Sequence, residues 1–371
     1  MNRTEKHQRE PLIHITRRAD IPLAKAWLIR LAAIVSALIV CSLLIVAITN
    51  YNPIEVFVKM AEGSLGSPRK LMFLLQELSM LLCISVAVTP AFKMKFWNLG
   101  AEGQVLVGGL ASAACMFYAK DSIPNALLIF LMLAAGIASG MIWALIPAVF
   151  KSVWGTNESL FTLMMNYVAM QLVAFFIMVW VPNGSNVMGI INMNSQNGWL
   201  PDLFGQKYLI NIIIVFILTV VMFIYLKYSK QGYEISVVGG SQNTARYIGI
   251  DVKKVIIRTM LISGAICGLA GFLLVSGTNH TISKELAGGM GFTAIMVSWL
   301  AKFNPLLMIV TSFLIVFLQR GAGEIATAFR LNTSVADIIT GIIIFFIIGC
   351  EFFINYKINF RTSKERREAK Q

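Results

Sequence analysis

The sequence predicts an all-α polytopic membrane protein of about ten transmembrane helices, with both termini cytoplasmic. Three observations carry this. Of 371 residues, 57% are hydrophobic and only 13% are charged, whereas a soluble domain carries roughly 25% charged residues. A globule of this size must still cover its surface with polar groups, so much of the chain needs lipid as its solvent. Apolar runs of bilayer-spanning length also recur along the chain. Finally, the net charge of +13 sits in tails and alternate loops and not on one face of a soluble domain, which argues against a nucleic-acid binder.

The runs are 26–48, 71–92, 104–119, 126–150, 160–181, 209–226, 256–276, 291–301, 306–318 and 335–353. The eighth and ninth are short, so eight or nine crossings stay open as the alternative. The first run is longer than a signal-peptide core and follows a long basic leader, so it reads as a retained first helix. Threading ten spans puts both tails, Lys93, Lys95, Lys151, the basic loop after residue 227 and Lys302 on one side. By the positive-inside rule that side is the cytoplasm. The expected organisation is a basic N-terminal tail (1–25), a membrane domain (26–354) and a basic C-terminal tail (355–371).

Two loops have substance. The external one, 182–207, is rich in Asn, Gly and Pro and reads as an ordered cap. The internal one, 227–258, is longer than a turn requires. Within it Ser241 is a candidate N-cap, 242–248 is helix-compatible and Gly249 is a helix stop. Spans two to five and seven to ten start on opposite sides of the membrane, as an inverted repeat requires. A Gly-rich lead-in recurs in the two halves, "NLGAEGQVLVGG" and "LAGGMGFTAIMVSW".

No catalytic or metal constellation is present in the sequence. There is no GxxxxGK[ST], HExxH or GxSxG, and His7, His14 and His280 are scattered. Cys41, Cys83, Cys115, Cys267 and Cys350 form no CxxC pattern and read as small packing residues. No cofactor is expected to bind this chain.

Polar residues inside apolar runs are the remaining signal. "KFWNLGAEGQVLVGGLASA" places Trp97, Asn98, Glu102 and Gln104 at the mouth of a hydrophobic segment. A carboxylate at membrane depth costs roughly 2.5–3.5 kcal/mol unless it faces protein or water. One reading is a pathway lining or gate; the other is helix capping, with Asn98 as N-cap and Glu102 in the first turn. In "GTNESLFTLMMNYVAMQ", Glu158, Thr162 and Asn166 share one helical face, toward either a helix interface or a cavity. GxxxG pairs at Gly136–Gly140 and Gly264–Gly268 predict tight helix packing.

Four segments, in order and spanning about residues 70–350, resemble the permease subunits of ABC importers for simple sugars and nucleosides, of the branched-chain amino acid superfamily. They are "WNLGAEGQVLVGG", "GTNESLFTLMMNYVA", "GYEISVVGGSQNTARYIGI" and "SGAICGLAG". The resemblance implies a type II importer permease, a transport subunit that is not itself an enzyme. Its expected partners are a separate ABC ATPase that uses ATP-Mg, a second and different permease chain, and an extracytoplasmic solute-binding protein. The expected site is a bacterial-type inner membrane. The loop 227–256 would couple to the ATPase through Gly239, Ser241, Thr244, Ala245, Arg246, Gly249 and Ile250. Trp97, Asn98, Glu102, Gln104, Glu158, Thr162 and Asn166 would belong to the translocation pathway or gate. The family's Asn-Pro is Ser241-Gln242 here, and its Ala-Ala is Thr244-Ala245. The full Glu-Gly-Gln motif and the long N-terminal tail are more similar to the nucleoside branch. The alternatives are a simple-sugar permease and an ion-coupled secondary transporter using Glu77, Glu102, Glu158 or Asp337.

Overall fold

The computed structural model describes residues 13–17, 22–49, 51–119, 122–181 and 188–360. Among them are thirteen α-helices and two short strands. In chain order these are β1 (Ile13–Arg17), α1 (Leu23–Thr49), α2 (Pro53–Leu65), α3 (Pro68–Lys93), α4 (Ala101–Ala119), α5 (Asn125–Trp154) and α6 (Glu158–Trp180). Then come α7 (Leu209–Tyr228), α8 (Lys230–Gly240), α9 (Gln242–Tyr247) and α10 (Val252–Leu274), which runs on into a π-helical turn, Val275–Asn279. The chain continues with α11 (Met290–Leu300), α12 (Pro305–Ala328), α13 (Thr333–Asn355) and β2 (Tyr356–Phe360).

Each of the ten apolar runs falls on a helix, but the helices are not equivalent. Seven among the described residues are long and apolar enough to cross a membrane. The eleven residues of α11 rise about 16 Å, roughly half a hydrocarbon core. The ninth run, expected to be short, is a helix of 24 residues. Polar and charged residues from Gln319 onward end the apolar run but not the helix. Helices α2 and α8 were not foreseen, because neither is apolar enough to read as a span.

The described residues form two compact units, Ser64–Phe317 and the pair of segments Met1–Gly63 and Leu318–Gln371. In the smaller unit α1 packs on α13, where the Cys41 thiol lies 3.7 Å from the Ile339 carbonyl. Strands β1 and β2 pair antiparallel, Ile13 opposite Phe360 and Arg17 opposite Tyr356. The segment before α1 therefore lies beside the segment after α13.

The larger unit is built around α3 and α10, most of whose length is buried. Helix α3 starts on Pro68, with the Ser67 hydroxyl accepting from the Lys70 amide at 3.2 Å, as a capped N-terminus should. Helix α10 packs on α4 and α5, and α3 packs on α11. The two GxxxG pairs face each other. A Cβ on Gly140 or Gly264 would collide with the other's carbonyl oxygen, and one on Gly268 would collide with the Gly136 carbonyl. Gly108 of α4 meets Gly268, and Gly271 of α10 meets the Val105 carbonyl. These are backbone-to-backbone contacts that no side chain leaves room for. Outward faces are apolar, with Phe130, Ile142, Phe175, Met178, Ile217 and Ile224 exposed.

Of the expected external cap, residues 182–187 lie outside the described residues. The rest folds down onto the bundle: Asn192 donates to the Met116 carbonyl at 3.1 Å, and the Ile191 amide donates to the His280 carbonyl at 2.9 Å.

Gly268→Val should destabilise the bundle by at least about 3 kcal/mol, the upper end for overpacking, because the obstructing atoms are backbone. Gly341→Ala meets open space and should be neutral or stabilising by up to about 1 kcal/mol. Thermal unfolding of the two variants in detergent tests the difference.

Candidate functional site

The polar residues at the mouth of α4 form one hydrogen-bonded knot. Helix α4 begins at Ala101, so Asn98 lies ahead of the N-terminus and does not cap it. The Asn98 side-chain oxygen accepts from the Gly100 amide at 3.1 Å and from Gln104 Nε2 at 3.3 Å. Its nitrogen donates to the Ser263 hydroxyl of α10 at 3.2 Å. Glu102 does cap a helix, but a distant one. Its Oε1 accepts from the Gly289 amide at 2.9 Å and its Oε2 from the Gly291 amide at 2.7 Å, at the N-terminus of α11. The two Gly-rich lead-ins, far apart in sequence, thus meet through one carboxylate.

Helix α6 holds the same lead-in from the other side. Asn157 caps it, accepting from the Ser159 and Leu160 amides. One helical turn apart, Thr162 and Asn166 face inward, as their spacing predicts. The Leu99 amide donates to Thr162 Oγ1 at 3.1 Å. Asn166 accepts from the Gly103 amide and donates to the Leu99 carbonyl, both at 2.8 Å. Glu158 sits at the open end of this face, paired with Lys151 at 2.7 Å.

Asn98, Glu102, Gln104, Thr162 and Asn166 are all buried within the chain. Glu158 is only partly buried, and Trp97 is 44% exposed. Its ring stacks on Trp299 with centroids 5.6 Å apart and meets Phe92 edge-on at 5.8 Å. Trp299 in turn meets Phe303 at 5.1 Å. The result is a partly exposed aromatic surface beside a fully bonded polar knot. Sequence reasoning missed Ser263, Gly289, Gly291 and Trp299, because their role depends on which helices are neighbours.

The second expected site lies in the loop after α7. Ser241 accepts from the Thr244 amide at 3.2 Å and caps α9, and Gly249 ends the segment with φ +85°. Both expectations from the sequence hold. The loop holds two helices and not one, since Ser229 caps the additional α8. Gly239 of α8 lies against the Lys93 carbonyl with no room for a Cβ. Ala245 is fully buried, and the Ile250 amide donates to its carbonyl at 2.9 Å. The opposite face of α9 stands free: Ser241, Thr244, Arg246 and Gly249 are exposed, and Tyr247 is 92% exposed. Asp251 caps α10, and the Lys254 amide it accepts from holds its carboxyl below the usual range. Arg258 pairs with Glu234 at 2.9 Å and ties α10 to α8.

No group of three or more His, Cys, Asp or Glu side chains is placed to hold a metal among the described residues.

Residues 71–348 match the model of a family described as the permease component of branched-chain amino acid transport systems. The chain is 28% identical over 332 residues to the nucleoside ABC transporter permease protein NupB of Lactococcus lactis, covering 86% of this chain and 90% of that one. It is 28% identical over 330 residues to the guanosine ABC transporter permease protein NupP of Bacillus subtilis, covering 88% and 93%. It is 25% identical over 363 residues to the glucose ABC transporter permease protein TsgB13 of Haloferax volcanii, covering 95% of each.

Glu102→Gln keeps the shape but replaces one acceptor oxygen with a donor facing a backbone amide. Loss of a charge-assisted bond should cost about 2–3 kcal/mol. Thermal unfolding of the variant reads this, and hydrogen exchange should rise first at the Gly289 and Gly291 amides.

Proposed function

The chain belongs to the family of branched-chain amino acid transport system permease components, and from that premise we infer that it forms the translocation pathway of an ATP-driven importer for a nucleoside. It is a membrane transport subunit of the ABC class. The observation that carries the coupling part of the reading is α9: a short capped helix seated on Ala245, with an exposed outer face, in a basic loop of a chain lacking a nucleotide-binding loop. Such a helix suits a groove on a separate ATPase, which would bind and hydrolyse ATP-Mg. Gly239, Ser241, Thr244, Ala245, Arg246, Gly249 and Ile250 then divide their work. Gly239, Ala245 and Ile250 seat the loop, Ser241 and Gly249 set its ends, and Thr244 and Arg246 face the ATPase with Tyr247.

In this reading the chain makes ten crossings with both ends in the cytoplasm of a bacterial-type inner membrane. The β1–β2 pairing supports ends on one side, and the distribution of Lys and Arg supports the cytoplasmic side. A second, related permease chain completes the pathway, and an extracytoplasmic binding protein delivers the solute. Trp97, with Trp299 behind it, would offer a stacking face to a base or sugar ring. Asn98, Glu102, Gln104, Thr162 and Asn166 would hold the wall that carries Trp97, and Glu158 with Lys151 would close its open end.

Nucleoside is preferred because two relatives aligned over most of this chain are nucleoside and guanosine permeases. The glucose permease keeps a simple sugar as the second reading. Of the four carboxylates that an ion-coupled carrier could use, Glu102 is bonded to the start of α11 and Glu158 to Lys151, which leaves Glu77 and Asp337 for that alternative.

Affinity isolation of the tagged chain in mild detergent should bring down an ATPase with a P-loop and a second, related permease. Uptake by the chain alone, abolished by collapsing the proton gradient, would overturn the reading. Tyr247→Ala should leave insertion and assembly intact while lowering solute-stimulated ATP hydrolysis several-fold, read on purified complex in lipid nanodiscs.

A further inference from the structure

Helix α6 has a second face, turned away from the bundle. Thr162 and Asn166 point inward and are bonded to the lead-in of α4, so the helix cannot roll without breaking those bonds. Gln171 follows Thr162 by about two and a half turns and therefore looks the opposite way. It is exposed, and Tyr167, one turn before it on the same side, is 58% exposed. Neither polar group makes a hydrogen bond among the described residues.

Depth gives this its meaning. Along α6, Gln171 stands about 20 Å from Glu158 and about 14 Å from Trp180, inside a hydrocarbon core about 30 Å thick. Between their ends, α5 and α7 expose only apolar side chains, as helices against lipid tails do. Tails cannot bond an amide or a phenol hydroxyl. Polar side chains at this depth face protein or a water-filled path.

Two features favour the path over a packed seam. A close helix seam wants small residues, as on α5 and α10. The outward side of α6 instead carries Leu160, Met164, Tyr167, Gln171, Phe175 and Met178, all exposed. A groove of about 350 Å³, lined by Leu160, Met164, Met165 and Val168, runs along its first half. Methionines of this kind adapt to varied surfaces. Second, α6 carries no charge beyond Glu158. The face thus offers an aromatic ring, a hydroxyl and an amide that both donates and accepts, and no counter-charge for an ion.

We propose that the outward face of α6 is the wall this chain gives to the translocation pathway, and that Tyr167 and Gln171 contact a neutral, hydroxyl-bearing solute with a flat or sugar ring. The proposal rests on the importer reading and adds solute contacts at mid-membrane, apart from the Trp97 surface.

The test uses the purified complex of permease, ATPase and binding protein in proteoliposomes. Gln171→Cys, Tyr167→Cys and, on the exposed face of α7, Ile217→Cys are treated with a membrane-impermeant thiol reagent. Labelling is read above that of the parent chain, whose cysteines are buried or half-buried. The first two variants should be labelled and the third not. Binding protein loaded with guanosine or with glucose should slow labelling several-fold for one of the two solutes. Gln171→Leu should lower uptake of that solute about tenfold, the loss of one hydrogen bond. If Gln171→Cys fails to assemble, Tyr167→Cys decides alone. Labelling no greater than for Ile217→Cys overturns the proposal, the face then lying under lipid or sealed beneath a second chain. Labelling indifferent to both solutes overturns it too. ATP-driven uptake by the parent complex separates the two readings. Uptake with unlabelled α6 variants rejects only this wall, and absent uptake of both solutes rejects the importer reading itself.

Discussion

In lipid, the hydrophobic effect does not press helices together, so a membrane bundle depends on how closely its backbones can approach. Here that approach occurs where Gly136 and Gly140 of α5 meet Gly264 and Gly268 of α10, with Gly108 of α4 against Gly268. Dispersion falls steeply with separation, and a single Cβ at these positions would push backbone away from backbone. The other features follow from this seam. It places α4 beside α10, which brings Asn98 within reach of Ser263.

The Glu102 contact is the second constraint. Helix α11 is too short to span the membrane alone, and Gly291 in its first turn is buried. Away from water its amide needs an acceptor. Glu102 supplies two oxygens, and in doing so joins the lead-in of one half to that of the other. The crossed packing of α3 on α11 and α10 on α4 fits the same pairing of halves. The carboxylate that looked out of place in a greasy segment is thus a bond between two helix starts.

This arrangement suits transport by rocking of rigid bodies. Close-packed seams move as units, and polar groups that are fully bonded cost little when carried along. The exposed groups are then the informative ones. Trp97 presents an aromatic face beside the knot, and α9 presents Tyr247 and Arg246 from a base anchored by Ala245 and the Arg258–Glu234 pair. Both stand on supports buried in the larger unit.

Much of this was legible in the sequence because it is local. Apolar runs of spanning length, the cap Ser241, the stop at Gly249, the shared face of Thr162 and Asn166, and the small-residue pairs on α5 and α10 depend on neighbours within a turn or two. The sequence by itself determined a helical membrane permease with an oversized basic loop. What it could not determine was who meets whom. Asn98 looked like a cap for its own helix and instead bridges to α10, and Glu102 caps α11 nearly two hundred residues away. The side-chain amides of Gln76 and Asn211 converge on the Thr278 hydroxyl, both donating to it, only because α3, α7 and the π-helical turn are adjacent in space. Spacing along a chain specifies which face of a helix a residue occupies, whereas the partner of that face is chosen by packing among all the helices at once. Only the tertiary structure decided it.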